Sequence, residues 1–348
     1  MSIQEPAVSE SMQRLAALEE ARQRAIGWFS AHVSEDGMPA GADKGNAWWR
    51  APWALCVAGA PQLASSMLGW IERNALTPEG DLRDGCFGGG GADSPVYLLS
   101  PIAIAAQLLA RYDIADKVMR RTKDFWDPQT GGVFEFRDPG ADPIQDMLKT
   151  CQLGVSALAV GDVSVLEGIY NWLRTHLDAQ AELPERLYTT SRNGHPVSEL
   201  NDRERFARCV EFNKPRQAYF YPGIAAAFLA GYYQKTGNHE ALKLADRYLA
   251  LNENGTFEQF TDTGSVQICK FGWGVAAMYS AQPTEYRLRW LNEMADWFIS
   301  RQEPDGSWAP SSFMTPAPGL NDYFWKTAEH LMELSYIECA LRQSRVQG

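Results

Sequence analysis

A glycine-containing turn recurs along the chain, each time between an amphipathic helical segment and a more apolar one. The short turns lie at residues 35–37, 78–80, 127–132, 252–255 and 304–306, and a longer irregular stretch from about 178 to 215 takes the fourth place. Apart from that stretch the spacing is about 43 to 52 residues, which is typical of repeated supersecondary units. A single helix pair cannot bury its apolar face, so neighbouring pairs must stack. Six pairs can close into a ring around a central cavity.

The two helices of each predicted pair differ in character. The first helices carry one apolar stripe, as at Leu291, Met294 and Phe298, and charged residues elsewhere, which indicates an outer layer. They are predicted at 9–33, 61–76, 112–126, 163–178, 239–250 and 284–302. The second helices are apolar nearly all round, which indicates an inner ring. They are predicted at 47–58, 95–110, 146–160, 217–234, 266–280 and 321–342. We therefore expect an all-α protein, a single (α/α)6 toroid over residues 1–348, with residues 1–8 as a disordered tail.

Composition and charge exclude several partners. The net charge of -11 argues against a nucleic-acid partner and against docking on an anionic membrane, because both require a basic face. No run of 18 apolar residues predicts a transmembrane helix. The polar N-terminal segment lacks the apolar stretch of a signal peptide, which predicts a cytoplasmic protein.

The six cysteines are scattered, without the spacing of a metal site. We expect free thiols, most of them small core residues, in a reducing compartment. The sequence contains no Walker loop, no dinucleotide-binding glycine pattern and no metal-spaced ligands, so no metal or other cofactor is predicted. Carboxylates dispersed along the chain could still gather a Ca²⁺ or Mg²⁺ ion in space.

Two segments resemble known families. Residues 295–308 place an aromatic residue four positions before Gln302, followed by Gly306 and Trp308. This pattern resembles the repeated QW motif of squalene and oxidosqualene cyclases. Residues 230–238 resemble hairpin junctions of six-hairpin sugar enzymes, including the N-acylglucosamine 2-epimerases. Both resemblances imply an α/α toroid, but the acidic Asp-x-Asp-Asp motif of hopene-type cyclases and the paired histidines of the epimerases have no match here, so neither resemblance implies a reaction.

Candidate site residues lie where the predicted inner helices begin, because in a toroid these six starts meet at one rim. Helix N-termini there favour an anionic or oxygen-rich ligand. The candidate catalytic residues are His330, Glu329, Asp322 and Asp146. The candidate substrate-binding residues are Trp48, Trp49, Arg50, Tyr97, Lys149, Gln152, Tyr219, Tyr221, Lys270, Trp273, Tyr323 and Trp325. Lys149, Lys270 and Glu329 lie within apolar helices, so they form either structural ion pairs or an acid/base group.

Three functions are compatible with this pattern. The first is a cavity enzyme that performs acid/base isomerisation, cyclisation or hydration and dehydration on a small to medium, partly apolar metabolite. The second is a carbohydrate enzyme, either an epimerase or a glycoside hydrolase, with two carboxylates across the cavity. The third is a non-catalytic toroid that binds a metabolite or a protein.

Overall fold

The computed structural model describes residues 5–43, 45–83 and 92–347. In chain order the helices are α1 (Glu5–Ala31), α2 (Ala51–Val57), α3 (Pro61–Asn74), α4 (Val96–Leu108), α5 (Tyr112–Lys123), α6 (Met147–Val160), α7 (Leu166–Asp178), α8 (Asp202–Arg208), α9 (Phe220–Thr236), α10 (His239–Glu253), α11 (Glu258–Thr261), α12 (Cys269–Ala281), α13 (Glu285–Ser300) and α14 (Leu320–Gln347). Without the short α8 and α11 they form the six predicted pairs.

The second helices of the pairs form a closed inner ring. Each contacts the next in the order α2, α4, α6, α9, α12, α14, and α14 returns to α2. The first helices, α1, α3, α5, α7, α10 and α13, pack outside this ring. The (α/α)6 toroid is therefore confirmed. We call the end of the ring where the inner helices begin the upper end, and the end where they finish the lower end.

Short strands occur only in the connections at the upper end, among the described residues. They are β1 (Ile144–Asp146), β2 (Arg186–Tyr188), β3 (Thr190–Arg192), β4 (His195–Pro196) and β5 (Cys209–Glu211). They pair antiparallel in the order β1-β3-β4 and β2-β5, so the long fourth connection folds back over the start of α6. This pairing gives the irregular stretch a fixed position beside the rim.

Four of the outer-to-inner turns are built alike. In each, one β-bridge closes the turn around a glycine with φ between 87° and 94°: Gly37, Gly80, Gly131 and Gly306. A side chain at these positions would collide with the next outer helix. A Cβ on Gly131, for example, would lie 2.0 Å from the carbonyl oxygen of Gly168. The recurring glycine in the sequence thus reflects both backbone conformation and close packing.

The QW-like segment joins the last repeat to the first. Gln302 Nε2 donates to the carbonyl oxygens of Ala21 and Gly306 at 2.8 and 2.9 Å, and Trp308 Nε1 donates to that of Phe298 at 2.9 Å. Because Ala21 lies on α1, these hydrogen bonds help to close the ring.

One detail differs from the sequence-based predictions, and two positions that they concern lie outside the described residues. Helix α1 already begins at Glu5, so residues 5–8 are helical and not a disordered tail; residues 1–4 lie outside the described range. The described cysteines are free thiols, and Cys86 lies outside the described residues. No helix among the described residues is long and apolar enough to cross a bilayer.

Candidate functional site

A buried ion cluster joins three of the inner-ring segments below the upper rim. Glu329 on α14 accepts a hydrogen bond from Arg50 Nη1 at 3.0 Å, and it also contacts the ammonium groups of Lys270 on α12 and Lys326 on α14. Each of these four side chains is at most 5% exposed. Charged groups this deep require partners, because their desolvation costs several kcal/mol. The cluster therefore fixes the relative positions of α2, α12 and α14.

The cluster keeps Glu329 ionised. Burial alone would raise the pKa of Glu329, but Lys270, Lys326 and Arg50 hold it well below its usual range. Burial by itself would lower the pKa of Lys270, but the combined attraction of Glu329 and other neighbours, among them Tyr97 and Glu333, raises it. Glu329 is therefore a permanent anion near neutral pH and is not suited to act as a general acid.

An upper recess of about 320 Å³ lies above this cluster. It is lined by polar and aromatic residues from the starts of α2, α4 and α14, including Asn46, Trp49, Tyr97, Asn321, Asp322 and Trp325. Aromatic faces combined with a few polar groups are typical of small-molecule sites, and the volume is at the lower end of the usual range.

Buried cations lie beneath the aromatic rings of the upper recess. The guanidinium carbon of Arg50 is 4.6 Å from the ring centre of Trp49 and 5.2 Å from that of Tyr97, and Lys326 Nζ is 4.3 Å from the ring of Trp325. Arg50 Nη2 also donates to the hydroxyl oxygen of Tyr97 at 2.7 Å. Among the described residues, no acceptor receives the hydrogen of that hydroxyl. Tyr97 can therefore donate this hydrogen to a ligand in the recess.

A second polar group surrounds the start of α6. Asp146 accepts a hydrogen bond from the backbone N–H of Lys149 at 2.7 Å, and burial raises the pKa of its carboxyl group. Lys149 Nζ donates to the carbonyl oxygen of Glu135, and the Glu135 carboxylate pairs with Arg208 at 2.6 Å. Burial also raises the pKa of Glu135. Tyr221 lies near this group, and its hydroxyl donates to the carbonyl oxygen of Ala207 at 3.3 Å.

His330 lies in an aromatic enclosure next to Glu329. Its ring centre is 5.7, 5.1 and 6.0 Å from those of Trp297, Phe298 and Trp308, and the side chain is fully buried. Burial lowers the pKa of the imidazole. Nδ1 is 3.5 Å from the carboxylate of Glu333, which in turn is 3.7 Å from Lys270. His330 therefore connects to the ion cluster and does not line the upper recess.

Cys269, His330 and Glu333 bring potential metal-ligand atoms within 4.8 Å of one another. The charges around them oppose a divalent cation, however. In the described part of the chain, three buried cations, Arg50, Lys270 and Lys326, face two buried carboxylates, and Lys270 is next to Glu333. A second positive ion would add to an existing excess of positive charge, so we interpret the group as part of the ion cluster.

The remaining predicted site residues are dispersed. Trp48 packs against Trp70 outside the inner ring, and the hydroxyl of Tyr219 donates to the carbonyl oxygen of Lys214. Trp273 lies farther down the ring, in contact with Trp53. Gln152 is completely buried, and neither atom of its side-chain amide has a hydrogen-bond partner among the described residues. Tyr323 is half-buried near the start of α14.

Four charged residues of these polar groups were not among the sequence-based candidates: Lys326, Glu333, Glu135 and Arg208. Glu333 carries the same signal that identified Lys149 and Lys270, since it is a charged residue within an apolar helix. Glu135 and Arg208 lie in connections, where charged residues are common and give no such signal.

In comparisons with known proteins, no family model and no curated protein matches the sequence. Solved structures do share the ring. Cellobiose 2-epimerase from Bacillus thermoamylovorans is 13% identical, with a TM-score of 0.65 over 91% of this chain and 98% of that one. D-mannose isomerase is 10% identical, with a TM-score of 0.63 over 92% and 97%.

An inactive variant of an α-1,6-mannanase from Salegentibacter, solved with α-1,6-mannotriose, is 12% identical, with a TM-score of 0.61 over 94% of this chain and 99% of that one. Likeness at such low identity establishes the toroid fold and not the chemistry. For the resemblance of residues 295–308 to squalene-type cyclases, the comparisons therefore support the toroid fold and nothing finer.

Proposed function

We propose that this protein is a carbohydrate-active enzyme that transfers a proton at the carbon next to a sugar carbonyl, as in the isomerisation or epimerisation of an aldose. The observation that carries this proposal is the Tyr97 hydroxyl. It accepts a hydrogen bond from the buried cation Arg50, and no acceptor among the described residues takes its own hydrogen, which a ligand in the upper recess could therefore receive. Sugars suit a recess with aromatic faces and side-chain amides, which favours a carbohydrate over a partly apolar metabolite.

The chemistry requires stabilisation of a developing negative charge. When a proton leaves the carbon next to a carbonyl, charge moves onto the carbonyl oxygen, and a preorganised donor at that oxygen lowers the barrier. Tyr97 would donate there, with the positive charge of Arg50 behind it. Glu329 would act through Arg50 as a positioning residue, because it holds the guanidinium at 3.0 Å.

Asp322 is our candidate for the group that accepts the proton. It lines the upper recess, and its carboxylate accepts one hydrogen bond from the backbone N–H of Gly319 at 2.9 Å. That hydrogen bond orients the carboxylate and leaves further lone pairs for a substrate C–H or O–H. Trp49 and Trp325 would pack against the sugar ring, and the side-chain amide of Asn321 would contact it from the other side.

The solved structures support a sugar as substrate, because the toroids compared above include an isomerase, an epimerase and a mannanase. Glycoside hydrolysis is the second candidate, favoured by Asp146 and Glu135, whose pKa values are both raised by burial. The inactive mannanase variant has two consecutive aspartates replaced, and this sequence contains no two consecutive aspartates. This difference favours isomerisation over hydrolysis.

The decisive experiment measures whether the substrate takes up deuterium from the solvent. The purified protein is incubated in D₂O with a panel of reducing mono- and disaccharides, and proton NMR records exchange at the carbon next to the carbonyl together with any new sugar. We expect exchange with at least one sugar, and a loss of about 10²- to 10³-fold in kcat for Tyr97→Phe, as for removal of an oxyanion donor. Tyr112→Phe, an exposed tyrosine on α5, is the matched control and should retain full activity.

The same panel includes aryl glycosides and α-linked mannose oligosaccharides. Release of a reducing sugar that is lost in Asp146→Asn, without any deuterium exchange, would replace the isomerase proposal by the hydrolase. Exchange that is unaffected by Tyr97→Phe would show that the upper recess is not the site of the reaction.

A further inference from the structure

A second recess within the ring lies at the lower end, opposite the proposed active site. Its volume is about 600 Å³, compared with about 320 Å³ for the upper recess. It is lined by the last turns of α6, α9 and α12, together with residues of α2, α4 and α14. The buried ion cluster lies between it and the upper recess, and the two recesses have no lining residue in common.

Three aromatic side chains form the inner wall of the lower recess. Trp53, Trp273 and Tyr336 lie with ring centres 5.7 to 6.4 Å apart, and each follows a member of the ion-cluster region by three residues on its own helix: Arg50, Lys270 and Glu333. Trp53 Nε1 donates to the hydroxyl oxygen of Tyr336 at 3.3 Å, so the indole N–H of Trp53 is satisfied within this wall. The wall therefore presents apolar ring surface to the recess.

Small side chains keep the recess open. Ala227 and Gly231 on α9, and Ala276, Ala277 and Ser280 on α12, occupy positions where larger residues would fill the ring. Helix α2 also contributes only 7 residues, Ala51–Val57, so it ends well above the lower rim. Water in such a recess meets mainly apolar surface, and its release on ligand binding is favourable.

The lining of the recess carries one formal charge. Lys235 lies in the last turn of α9, is exposed, and among the described residues has no carboxylate within ion-pair distance. The side chains of Gln234 and Ser280 add hydrogen-bonding groups to the same lining. The inner wall is therefore apolar, and the charged and polar groups lie among the last turns of the helices.

We infer that the lower recess is a second binding site, for a small molecule with a flat or branched apolar body and a single carboxylate. The apolar body packs against Trp53, Trp273 and Tyr336, and the carboxylate pairs with Lys235. The site is independent of the reaction proposed at the upper end.

The test uses 1-naphthylacetate as the probe and isothermal titration calorimetry as the readout. We expect saturable binding to the full-length protein and weaker binding of the neutral isostere 1-naphthylacetamide by about two- to fivefold, the usual contribution of an exposed ion pair. Lys235→Gln should reduce the affinity for the acid to that of the amide. Lys243→Gln, at an exposed lysine on α10, is the matched control and should have no effect.

Substitutions that fill the lower recess test whether the probe binds there. Ala277→Phe on α12 and Ala159→Phe near the end of α6 each place a ring in the recess, and each should weaken binding at least tenfold. Ala159 is exposed, so that variant is expected to fold even where Ala277→Phe does not. Ala179→Phe, at an exposed position after α7, is the control of equal size.

Three outcomes would overturn the inference. They are no binding of 1-naphthylacetate at millimolar concentration, binding that persists unchanged in a folded filling variant, and equal affinity for the acid and the amide. Tyr97→Phe should leave the affinity unchanged, so failure of this site and failure of the proposed reaction are distinguishable.

Discussion

The upper and lower ends of the ring are built from the same inner helices but differ in nearly every physical property. Toward the upper end, Arg50, Lys270, Lys326 and Glu329 bury full charges against one another beneath an aromatic and polar recess. Toward the lower end, the same helices carry alanine, glycine and aromatic side chains around an apolar recess. Position along the helix therefore decides between charged and apolar surroundings.

The turns show the same contrast. At the upper end, turn glycines such as Gly131 are pressed against the backbone of the next outer helix. At the lower end, Gly161 and Gly237 also have positive φ, but a Cβ on either would meet nothing within 4 Å. The upper end is thus held rigidly by packing and ion pairs, as a preorganised polar site requires, whereas the lower end is fixed mainly by apolar contacts.

The largest expected effect is the loss of the central anion. Glu329→Gln leaves three buried cations without their carboxylate, so we expect about 3–5 kcal/mol of destabilisation, measured by urea denaturation. Ser280→Ala in the lower recess is the comparison variant. Similar free energies of unfolding for Glu329→Gln and the wild-type protein would contradict a rigid, charge-held upper end.

The turn glycines give a second contrast. Gly131→Ala combines an unfavourable positive φ with a contact of 2.0 Å to the Gly168 backbone, and we expect a loss of at least about 3 kcal/mol. Gly161→Ala has the unfavourable φ alone and should cost about 1–2 kcal/mol. If chemical denaturation gives the same loss in the free energy of unfolding for both variants, packing around the turn glycines does not distinguish the two ends.

Acid should weaken the upper end. Burial lowers the pKa of His176, near the end of α7, from 6.5 to about 4. Its folded-state pKa is depressed, so the unfolded chain takes up the proton first and stability falls as the pH drops from 6.5 toward 4. A shift of this size corresponds to a loss on the order of 3 kcal/mol.

Denaturation at pH 7, 5.5 and 4 measures this loss. His176→Asn, which cannot take up the proton, should show a shallower dependence in that interval, even if it is less stable at pH 7. A pH dependence identical to that of the wild-type protein would assign the acid sensitivity to other groups.

The smallest effect is expected in the lower recess. Ser280→Ala removes one half-buried hydroxyl that makes no hydrogen bond among the described residues, so the free energy of unfolding should change by less than about 0.5 kcal/mol. The deuterium exchange assay should give the wild-type rate. A loss of activity in this variant would show that the lower recess influences the reaction at the upper end, contrary to the independence of the two ends.

Much of the architecture could be predicted because it follows from local periodicity. The apolar stripe of α13 and the apolar character of α9 indicate outer and inner positions without knowledge of any partner. Where the prediction depended on partners it was less complete. His176, for example, lies near the end of an outer helix, yet it is buried, with Nε2 2.8 Å from the carbonyl oxygen of Tyr188. Strand β2, which contains Tyr188, belongs to the long fourth connection, whose path has no periodic signal.

The sequence by itself determined the repeat, the two layers and the rim where polar residues gather, because helical period and turn glycines are properties of neighbouring residues. Only the tertiary structure decided which of those polar residues meet. Arg50 directly precedes α2, whereas Lys270 lies on α12 and Glu329 on α14, and these distant positions form one cluster because the closed ring buries them together. The same closure encloses His330 in aromatic side chains and leaves Tyr97 facing the recess.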